Sequence, residues 1–200
     1  MAYTTLAEVK TYGDFTADTS DDALLDVLIL HATGIIDTYT NREFDGDSDD
    51  EATRYFDPTV DIQGQTLFLD RDLSSILTVT NGDSVAVASS DYVTEPRNDT
   101  PYDSITIIGN SGVYWTYTGA HENSIAIAGI WSYCLDANTP EPIKWATKRL
   151  VGWLYKQRET DVDLDRPALA GDGTIIMPTR LPADVAQVLE TYKRIRIGAA

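Results

Sequence analysis

The chain has 200 residues and carries 32 Asp and Glu against 15 Lys and Arg, a net charge of −17. Its length allows one domain, or a domain with a large insertion, around a hydrophobic core. The single cysteine, Cys134, excludes an internal disulfide framework and is expected to fill space in a core or an interface. The sequence has no apolar run of roughly 20 residues and no signal peptide, so we expect synthesis in a cytoplasm and no membrane partner.

The acidity is unevenly distributed and has an unusual composition. Residues 1–139 hold 5 Lys and Arg against 24 Asp and Glu, whereas residues 140–200 hold 10 against 8. Asp outnumbers Glu by 24 to 8, and only 5 lysines are present. Such a surface stays hydrated even at 1 M salt, where the Debye length is roughly 3 Å and charges farther apart than that are screened from one another. The composition therefore suggests a high-salt cytoplasm, with an acidic mesophilic protein as the alternative.

Two helices are predicted before residue 45. Thr5 and Glu8 have the spacing of a capping box, which opens a short helix that Gly13 ends. A longer helix begins near Ser20, and His31 is expected as a packed or boundary residue rather than a ligand. Its buried stripe is predicted from helical spacing to comprise Leu25, Leu28, Ala32, Ile35, Ile36 and Tyr39.

The middle of the chain reads as a series of short strands. They are predicted at residues 54–56, 66–69, 76–80, 85–88, 92–94, 104–108, 113–117 and 124–131. The Asn81-Gly82 dipeptide lies between two of them and predicts a hairpin turn. This density of strands is typical of a β-sandwich or a small barrel.

Two more helices are predicted after residue 138. Thr139 is expected as the N-cap of the first, with Pro140 and Pro142 in its first turn. Its core face is predicted to contain Ile143, Ala146, Leu150, Leu154 and Tyr155, with Trp145 and Trp153 on a second buried surface. The last helix opens at Pro182 and ends at Gly198, and its apolar stripe is predicted to contain Val185, Val188, Leu189, Tyr192 and Ile195. Residues 160–180 between them read as a long loop.

The predicted fold class is therefore α+β. A helical bundle is expected from residues 1–44 and 139–200, and an antiparallel β-sandwich or barrel-like insertion from residues 45–138.

Catalytic and metal sites find little support in the sequence. Two histidines, His31 and His121, and one cysteine leave few nucleophile–base pairs, and no phosphate-binding or nucleophile-elbow motif occurs. We expect no enzyme and no cofactor. Two acidic clusters have the alternate spacing of a calcium loop: Asp45, Asp47 and Asp49, and Asp161, Asp163 and Asp165. Both lack the required Gly, and the first also lacks the final Glu. We therefore expect both clusters to be solvated loops.

Four segments of the chain carry motifs in a definite order. The first two helices end in an exit formed by Tyr39, Thr40, Arg42 and Phe44. The strand pair with the Gly turn ends in Asp91 and Tyr92, and the main helix ends in Arg158 and Glu159. The closing helix has the sequence LPADVAQVLETYKRIRI. In this order the four segments resemble the head–tail connector (adaptor) proteins of tailed phages.

The resemblance implies a virion structural protein at the neck, the head–tail junction. Identical subunits would form a ring, commonly a dodecamer, between the portal protein and a downstream neck or tail-completion protein. DNA would pass through without specific binding. The acidic composition suggests a virus of a halophilic archaeon. In such rings the C-terminal segment docks onto the portal, so the implied site residues are Tyr192, Lys193, Arg194, Ile195 and Arg196, with a solvated helix end as the alternative.

A second reading of function remains open. The β-rich region could be a carbohydrate- or protein-binding module of a virion, with Trp115, Tyr117 and Trp131 as a stacking platform. Strand alternation would put Trp115 and Tyr117 on the same face. A core or subunit-interface face would explain these three aromatic residues equally well.

Overall fold

The structure, a computed structural model, describes residues 2–13, 19–45, 51–135, 138–159, 168–169, 175–176 and 181–194. The chain divides into two compact units. The helical unit comprises Met1–Asn41 and Thr139–Arg194, and the β unit comprises Arg42–Asn138. Helices and two antiparallel sheets are both present, which confirms the predicted α+β class.

The first helix, α1, spans Leu6–Gly13 and starts as its sequence predicts. The backbone N–H of Glu8 donates to the hydroxyl of Thr5, and the carboxylate of Glu8 accepts from the backbone N–H of Thr5. These reciprocal bonds form the predicted capping box and satisfy two N–H groups that the helix leaves free.

The second helix, α2, spans Asp22–Thr40. Its buried residues are Leu25, Ile29, Ala32, Thr33, Ile36 and Thr40. Leu28, Ile35 and Tyr39 are only half-buried, so the predicted stripe was rotated toward one side of the helix. His31 is exposed, and its prediction as a packed or boundary residue was wrong. The error arose because every position from 27 to 30 is apolar, which leaves helical periodicity ambiguous.

The third helix, α3, spans Glu141–Glu159 and contacts α1, α2 and the last helix, α4, which spans Ala183–Tyr192. Ile143, Ala146 and Leu150 are buried as predicted, whereas Leu154 and Tyr155 are half-buried. Trp145 and Trp153 are half-buried as well.

The boundaries of these two helices differ slightly from the predicted ones. Helix α3 begins two residues after Thr139, and the carbonyl of Pro140 accepts its first backbone hydrogen bonds. Helix α4 ends at Tyr192, where Lys193 turns to an extended conformation, so the prediction that it continues to Gly198 was wrong at Lys193. Ile195 and Gly198 lie outside the described residues.

The β unit contains two antiparallel sheets. Its strands are β1 (Ala52–Phe56), β2 (Ile62–Gln63), β3 (Thr66–Leu73), β4 (Ser75–Thr80), β5 (Tyr92–Glu95), β6 (Tyr102–Ile107) and β7 (Ile125–Ile130). One sheet has the order β1-β7-β4 and the other β2-β3-β6-β5. Ile125 and Ile127 alternate with less buried alanines along the middle strand β7, and they join one hydrophobic core with residues of both sheets, including Leu67 and Ile105.

Two predicted strands are absent from this part of the structure. Residues 85–88 make only an isolated bridge between Thr80 and Ala86, and residues 113–117 make only one between Gly82 and Tyr117. The side chain of Asn81 explains the difference at residues 113–117, because its amide donates to the carbonyl of Tyr114 and accepts from the backbone N–H of Thr116. A side chain thus replaces ladder bonds along that segment. Residues 85–88 instead make two backbone bonds to the end of β4 and the residue after it, from Asn81 to Val85 and from Val87 to Val79.

The segment predicted as a long loop contains a short ladder of its own. Strand β8 (Ala168–Leu169) pairs antiparallel with β9 (Ile175–Ile176). Most other residues of the segment lie outside the described residues, as do Asp47 and Asp49 of the first acidic cluster and Asp161, Asp163 and Asp165 of the second.

Candidate functional site

The segment that follows α2 is anchored inside the β unit by Arg42. Its guanidinium donates to both carboxylate oxygens of the buried Asp72, each at 2.9 Å. The same group lies over the ring of Tyr133, 5.1 Å from its centroid, and that ring contacts the fully buried Phe44. Both bonds come from one terminal nitrogen, Nη1, and a charge-assisted pair whose cation also lies over an aromatic ring fixes the position of the guanidinium. Arg42 and Phe44 therefore have a structural role in this unit.

The C-terminal ends of α2 and α4 meet in a polar cluster. The hydroxyl of Tyr39 donates to Glu190 at 3.0 Å, and the ammonium of Lys193 lies 3.4 Å from Glu190 and 5.5 Å from the centroid of the Tyr39 ring. The bond to the Glu190 carboxylate is the main cause of a raised pKa for Tyr39, because it stabilises the protonated phenol.

The predicted portal-docking residues begin in this cluster. Tyr192 is half-buried, Lys193 has the contacts just described, and the backbone N–H of Arg194 donates to the carbonyl of Thr40 at 2.8 Å. Ile195 and Arg196 lie outside the described residues. The chain thus leaves α4 in an extended conformation while it is still bonded to the end of α2.

Acidic side chains link the four helices to one another. Lys10 of α1 pairs with Asp22 at 2.7 Å, the hydroxyl of Tyr155 donates to Asp21 at 2.5 Å, and Arg149 of α3 pairs with Asp184 of α4 at 2.9 Å. The hydroxyl of Tyr3 also donates to Asp37. Many acids that composition alone assigns to a solvated surface therefore hold helices together.

Two of these helix acids have lowered pKa values. The pKa of Glu8 lies below its usual range mainly because the hydroxyl of Thr4 donates to its carboxylate at 2.6 Å. The pKa of Asp184 is lowered mainly by the hydrogen bond from Arg149. In both cases the donor favours the ionised carboxylate, so the contact is strongest when the acid is charged.

Helix α2 carries a second apolar surface, which we call its outer face. Val27 and Leu30 are each 62% exposed there. The outer face consists of the exposed residues Ala23, Asp26, Val27, Leu30, His31, Gly34 and Thr38. Among the described helices, α2 alone has the length and mean hydropathy, 1.2, that could suit a membrane span, but its other side packs against α3 as a core helix does.

The proposed aromatic platform of the β unit does not form. Trp131 is buried in the core, where its ring contacts Phe56 and its indole N–H donates to the carbonyl of Ala52. Trp115 is partly buried against the same core and donates to the carbonyl of Gln65. Tyr117 is 44% exposed and lines, with Trp115, a cleft of about 390 Å³. The three rings therefore do not present one stacking surface.

A His–Asp pair lies close to this cleft. Nδ1 of His121 lies 2.9 Å from a carboxylate oxygen of Asp57, and the hydroxyl of Thr59 donates to the other oxygen at 2.6 Å. The hydroxyl of Thr59 is the main cause of a lowered pKa for Asp57, and His121 adds to it. The ring of Tyr117 contacts His121 edge-on, so the pair attaches the loop of residues 113–124 to the turn after β1.

A second cleft lies within the β unit and includes the start of β5. It has a volume of about 440 Å³, and Tyr92, Tyr102 and Arg97 contribute to its walls. Burial is the main cause of a raised pKa for Tyr92. Its neighbour in the predicted Asp-Tyr pair, Asp91, accepts the backbone N–H of Ile108 through its own carbonyl.

Metal binding has no candidate in the part of the chain that the structure describes. No group of three or more His, Cys, Asp or Glu residues comes together there in a way that could hold an ion. Cys134 is half-buried, and its thiol donates to the carbonyl of Phe44, which fits the predicted role as a filler.

Three features of these surfaces were missed from the sequence. Asp72 as the partner of Arg42 had little signal, because it follows Asp70 and Arg71 in the charged half of β3 and looks like part of a solvated run. The outer face of α2 also had a signal, the unbroken apolar run of residues 27–30, which is more than one buried stripe needs. The cluster of Tyr39, Glu190 and Lys193 had none, because Tyr39 lies 151 positions from Glu190.

Three solved structures with a similar fold come from one kind of particle. A chain described as "Neck of empty GTA particle computed with C6 symmetry" has a TM-score of 0.57 and 14% identity, with 98% of this chain and 91% of that chain covered. A chain of "Virion of native gene transfer agent (GTA) particle" has a TM-score of 0.57, 15% identity and the same coverage. A chain of "Neck of native GTA particle computed with C12 symmetry" has a TM-score of 0.50 and 13% identity, with 98% and 96% covered. At these identities the likeness is one of fold.

Sequence comparison gives the family. No curated protein sequence matches the chain. The head completion protein family matches residues 2–195, which is nearly the whole chain. The chain therefore belongs to the head completion protein family, and the predicted resemblance to head–tail connector proteins is confirmed.

Proposed function

We propose that this chain is a subunit of a ring in the neck of a virion, where it joins the portal to the tail side by protein contacts. The observation that carries the proposal is the family match over residues 2–195. The neck structures with a similar fold were computed with C6 and C12 symmetry, which supports a ring of identical subunits and a copy number of twelve. Such a protein works by holding partners together rather than by catalysis.

The two units have separate roles in this proposal. The helical adaptor core comprises residues 1–44 and 139–200, and the β-rich insertion of residues 45–138 faces the downstream neck or tail-completion protein. Support comes from the division of contacts between the helical unit and the β unit. The Arg42–Asp72 pair fixes the chain where it enters the β unit.

The portal contact is assigned to the C-terminal segment. Tyr192, Lys193, Arg194, Ile195 and Arg196 supply two apolar side chains and three cations. The hydrogen bond from Arg194 to Thr40 holds the start of this segment at the end of α2, so the residues after it begin from a defined position. An ordered anchor point lowers the entropy that is lost when such a segment binds.

A pair of truncations tests the portal contact. Ending the chain after Arg194 keeps α4 and the Arg194–Thr40 bond, so the subunit should fold but no longer co-purify with the portal protein. Replacing Lys193 and Arg194 with Ala in the full chain is the companion variant and should weaken the same contact. Normal portal binding by both variants would refute the assignment.

DNA is proposed to pass through the ring without specific binding. The duplex carries a charge about every 1.7 Å of its axis, so an acidic passage repels it and a basic one would retain it. The net charge of −17 per subunit supports this proposal. Reversing the charge of the acids that line the passage should slow DNA release, and unchanged release would contradict it.

The central experiment is localisation of the chain in purified particles. Labelling the chain with a small tag and imaging labelled particles should give density at the head–tail junction, with one label per subunit around the ring. A matched preparation without the tag sets the background. Particles that lack the chain, or that carry it elsewhere, would overturn the proposed function.

A further inference from the structure

The outer face of α2 exposes more apolar surface than a free subunit needs. Val27 and Leu30 are each 62% exposed, and they follow one another along a continuous stripe with Ala23 and Gly34. The other side of the helix is buried against α3, so the subunit's own core does not require these side chains. Asp26 is the one Asp, Glu, Lys or Arg on the outer face. An apolar, nearly uncharged face of this kind is typical of the centre of a protein interface.

Gly34 gives an independent indication that another surface approaches here. It lies in the interior of α2, where glycine is less favourable than alanine. A Cβ added at Gly34 would meet nothing within 4 Å, so packing inside the subunit does not demand glycine. Its backbone does not have a positive φ either. Neither packing nor backbone conformation inside the subunit requires glycine here. On an exposed helical stripe, a glycine allows a second surface to approach the backbone closely.

The charge distribution indicates that copies of the chain approach through the helical unit. The β unit holds 4 Lys and Arg against 17 Asp and Glu, a net of −13. Residues 1–41 and 139–194 hold 10 against 15, a net of −5. Identical acidic subunits repel one another least where their charge is lowest. The outer face of α2 is a long, nearly uncharged surface within the less charged unit.

We propose that the outer face of α2 is the surface on which a second copy of this chain packs. The proposal rests on the ring function proposed above and names the face that builds the ring. From Ala23 to Thr38 the stripe is roughly 22 Å long and covers roughly 250 Å². A stable interface buries about 800 Å² on each partner, so the stripe forms the desolvated centre of a larger contact with a polar rim.

Paired substitutions test which face associates. The double variant Val27→Lys and Leu30→Lys replaces two exposed apolar side chains with charged ones, and lysine is a residue of high helix propensity. The matched control is Val85→Lys, because Val85 is 60% exposed but lies in the β unit. Association is measured by sedimentation equilibrium in 1 M KCl, where screening removes most repulsion between subunits. The double variant should need roughly 100-fold more protein for half-association, whereas the control should match the wild type.

Gly34→Leu is a second variant, and a folding defect would not explain a loss of association in it. The added side chain has open space in the free subunit, so the thermal midpoint should stay at or above that of the wild type. The same side chain would hold a packed neighbour away from the helix. Association should therefore weaken although the subunit is no less stable. A variant that associates as the wild type does would count against close approach at Gly34.

A photo-cross-linker identifies the occupant. Benzoylphenylalanine in place of Leu30, irradiated after assembly, should give a product of twice the 22.0 kDa subunit mass. A product that contains portal protein or another chain instead would overturn the inference. The same group in place of Val85 gives the background level.

The results separate this inference from the proposed function. If the lysine pair associates as the wild type does, the inference is overturned and the ring is built through another face. If the wild type stays monomeric at every salt and protein concentration, both alone and with portal-bearing heads, the ring itself is overturned.

Discussion

The helical unit and the β unit are each stabilised by a different kind of internal contact. In the helical unit, acids on one helix accept hydrogen bonds from another, as Asp184 does from Arg149 and Asp21 from Tyr155. In the β unit, a core shared by both sheets and the ladders of β7 carry most of the packing, with the Arg42–Asp72 pair at its entry. Polar contacts respond to pH and salt more than apolar packing does.

The comparison teaches how an acidic chain uses its carboxylates. A net charge of −17 suggests a uniformly solvated surface, yet several of these acids link helices. The helical unit is also the less charged of the two and exposes the outer face of α2. In the proposed packing of the outer face of α2 on a second copy, acids that are used between helices leave that face nearly uncharged, while the β unit carries most of the repulsive charge.

Removing Arg42 should have the largest effect on the β unit. Asp72 is buried, so Arg42→Met would leave its carboxylate without its charged partner. We expect the free energy of unfolding to fall by about 3 kcal/mol, as for other broken buried pairs. Urea denaturation measures the change. Arg42→Met combined with Asp72→Leu should recover much of the loss, and a single variant as stable as the wild type would contradict the role of the pair.

Two glycines should respond in opposite directions to the same substitution. A Cβ at Gly129 in β7 would collide with the backbone carbonyl of Ser75 and lie 2.8 Å from Leu73, so Gly129→Ala should cost about 1 to 3 kcal/mol. Gly34→Ala in α2 should stabilise the isolated subunit by about 0.5 to 1 kcal/mol, because its Cβ meets open space. Thermal unfolding of both variants measures the difference, and a shift of the same sign in both would refute this reading.

Acid should weaken the helical unit through Glu8 and Asp184. Both pKa values are lowered in the folded chain, so their contribution is present above the unfolded values of about 4 and is lost as pH falls through the folded ones. The loss should be below about 1 kcal/mol, because both groups are largely exposed.

Helical circular dichroism during urea unfolding between pH 6 and pH 3 measures this loss. Glu8→Gln combined with Asp184→Asn is the matched control, and it should be less stable at neutral pH but less sensitive to acid. Equal acid sensitivity in the wild type and the control would rule out these two acids as its source.

Salt should have the smallest effect on the isolated subunit. Screening weakens the helix-linking ion pairs but also relieves repulsion among 32 acids, so the melting temperature should hold or rise slightly above physiological KCl. A steady fall in melting temperature with added KCl would contradict the high-salt hypothesis. Potassium sulfate at equal ionic strength distinguishes screening from preferential hydration.

Local sequence signals determined much of the secondary structure. Thr5 and Glu8 predicted the start of α1 because a capping box involves only neighbouring residues. Alternating isoleucines predicted β7 because strand periodicity is also local. The strand prediction at residues 113–117 failed because the distant side chain of Asn81 took the place of ladder bonds. The prediction at residues 85–88 failed as well, since that segment makes an isolated bridge at Ala86 rather than a ladder.

What the sequence by itself determined was the order of elements, the α+β class and the family resemblance, since all three depend on local pattern and composition. Only the tertiary structure decided which apolar side of α2 is buried, that Trp131 lies in the core, and which acids link helices. The physical reason is that periodicity indicates how many apolar faces a helix or strand has, whereas the partner that covers each face is set by residues far away in the chain.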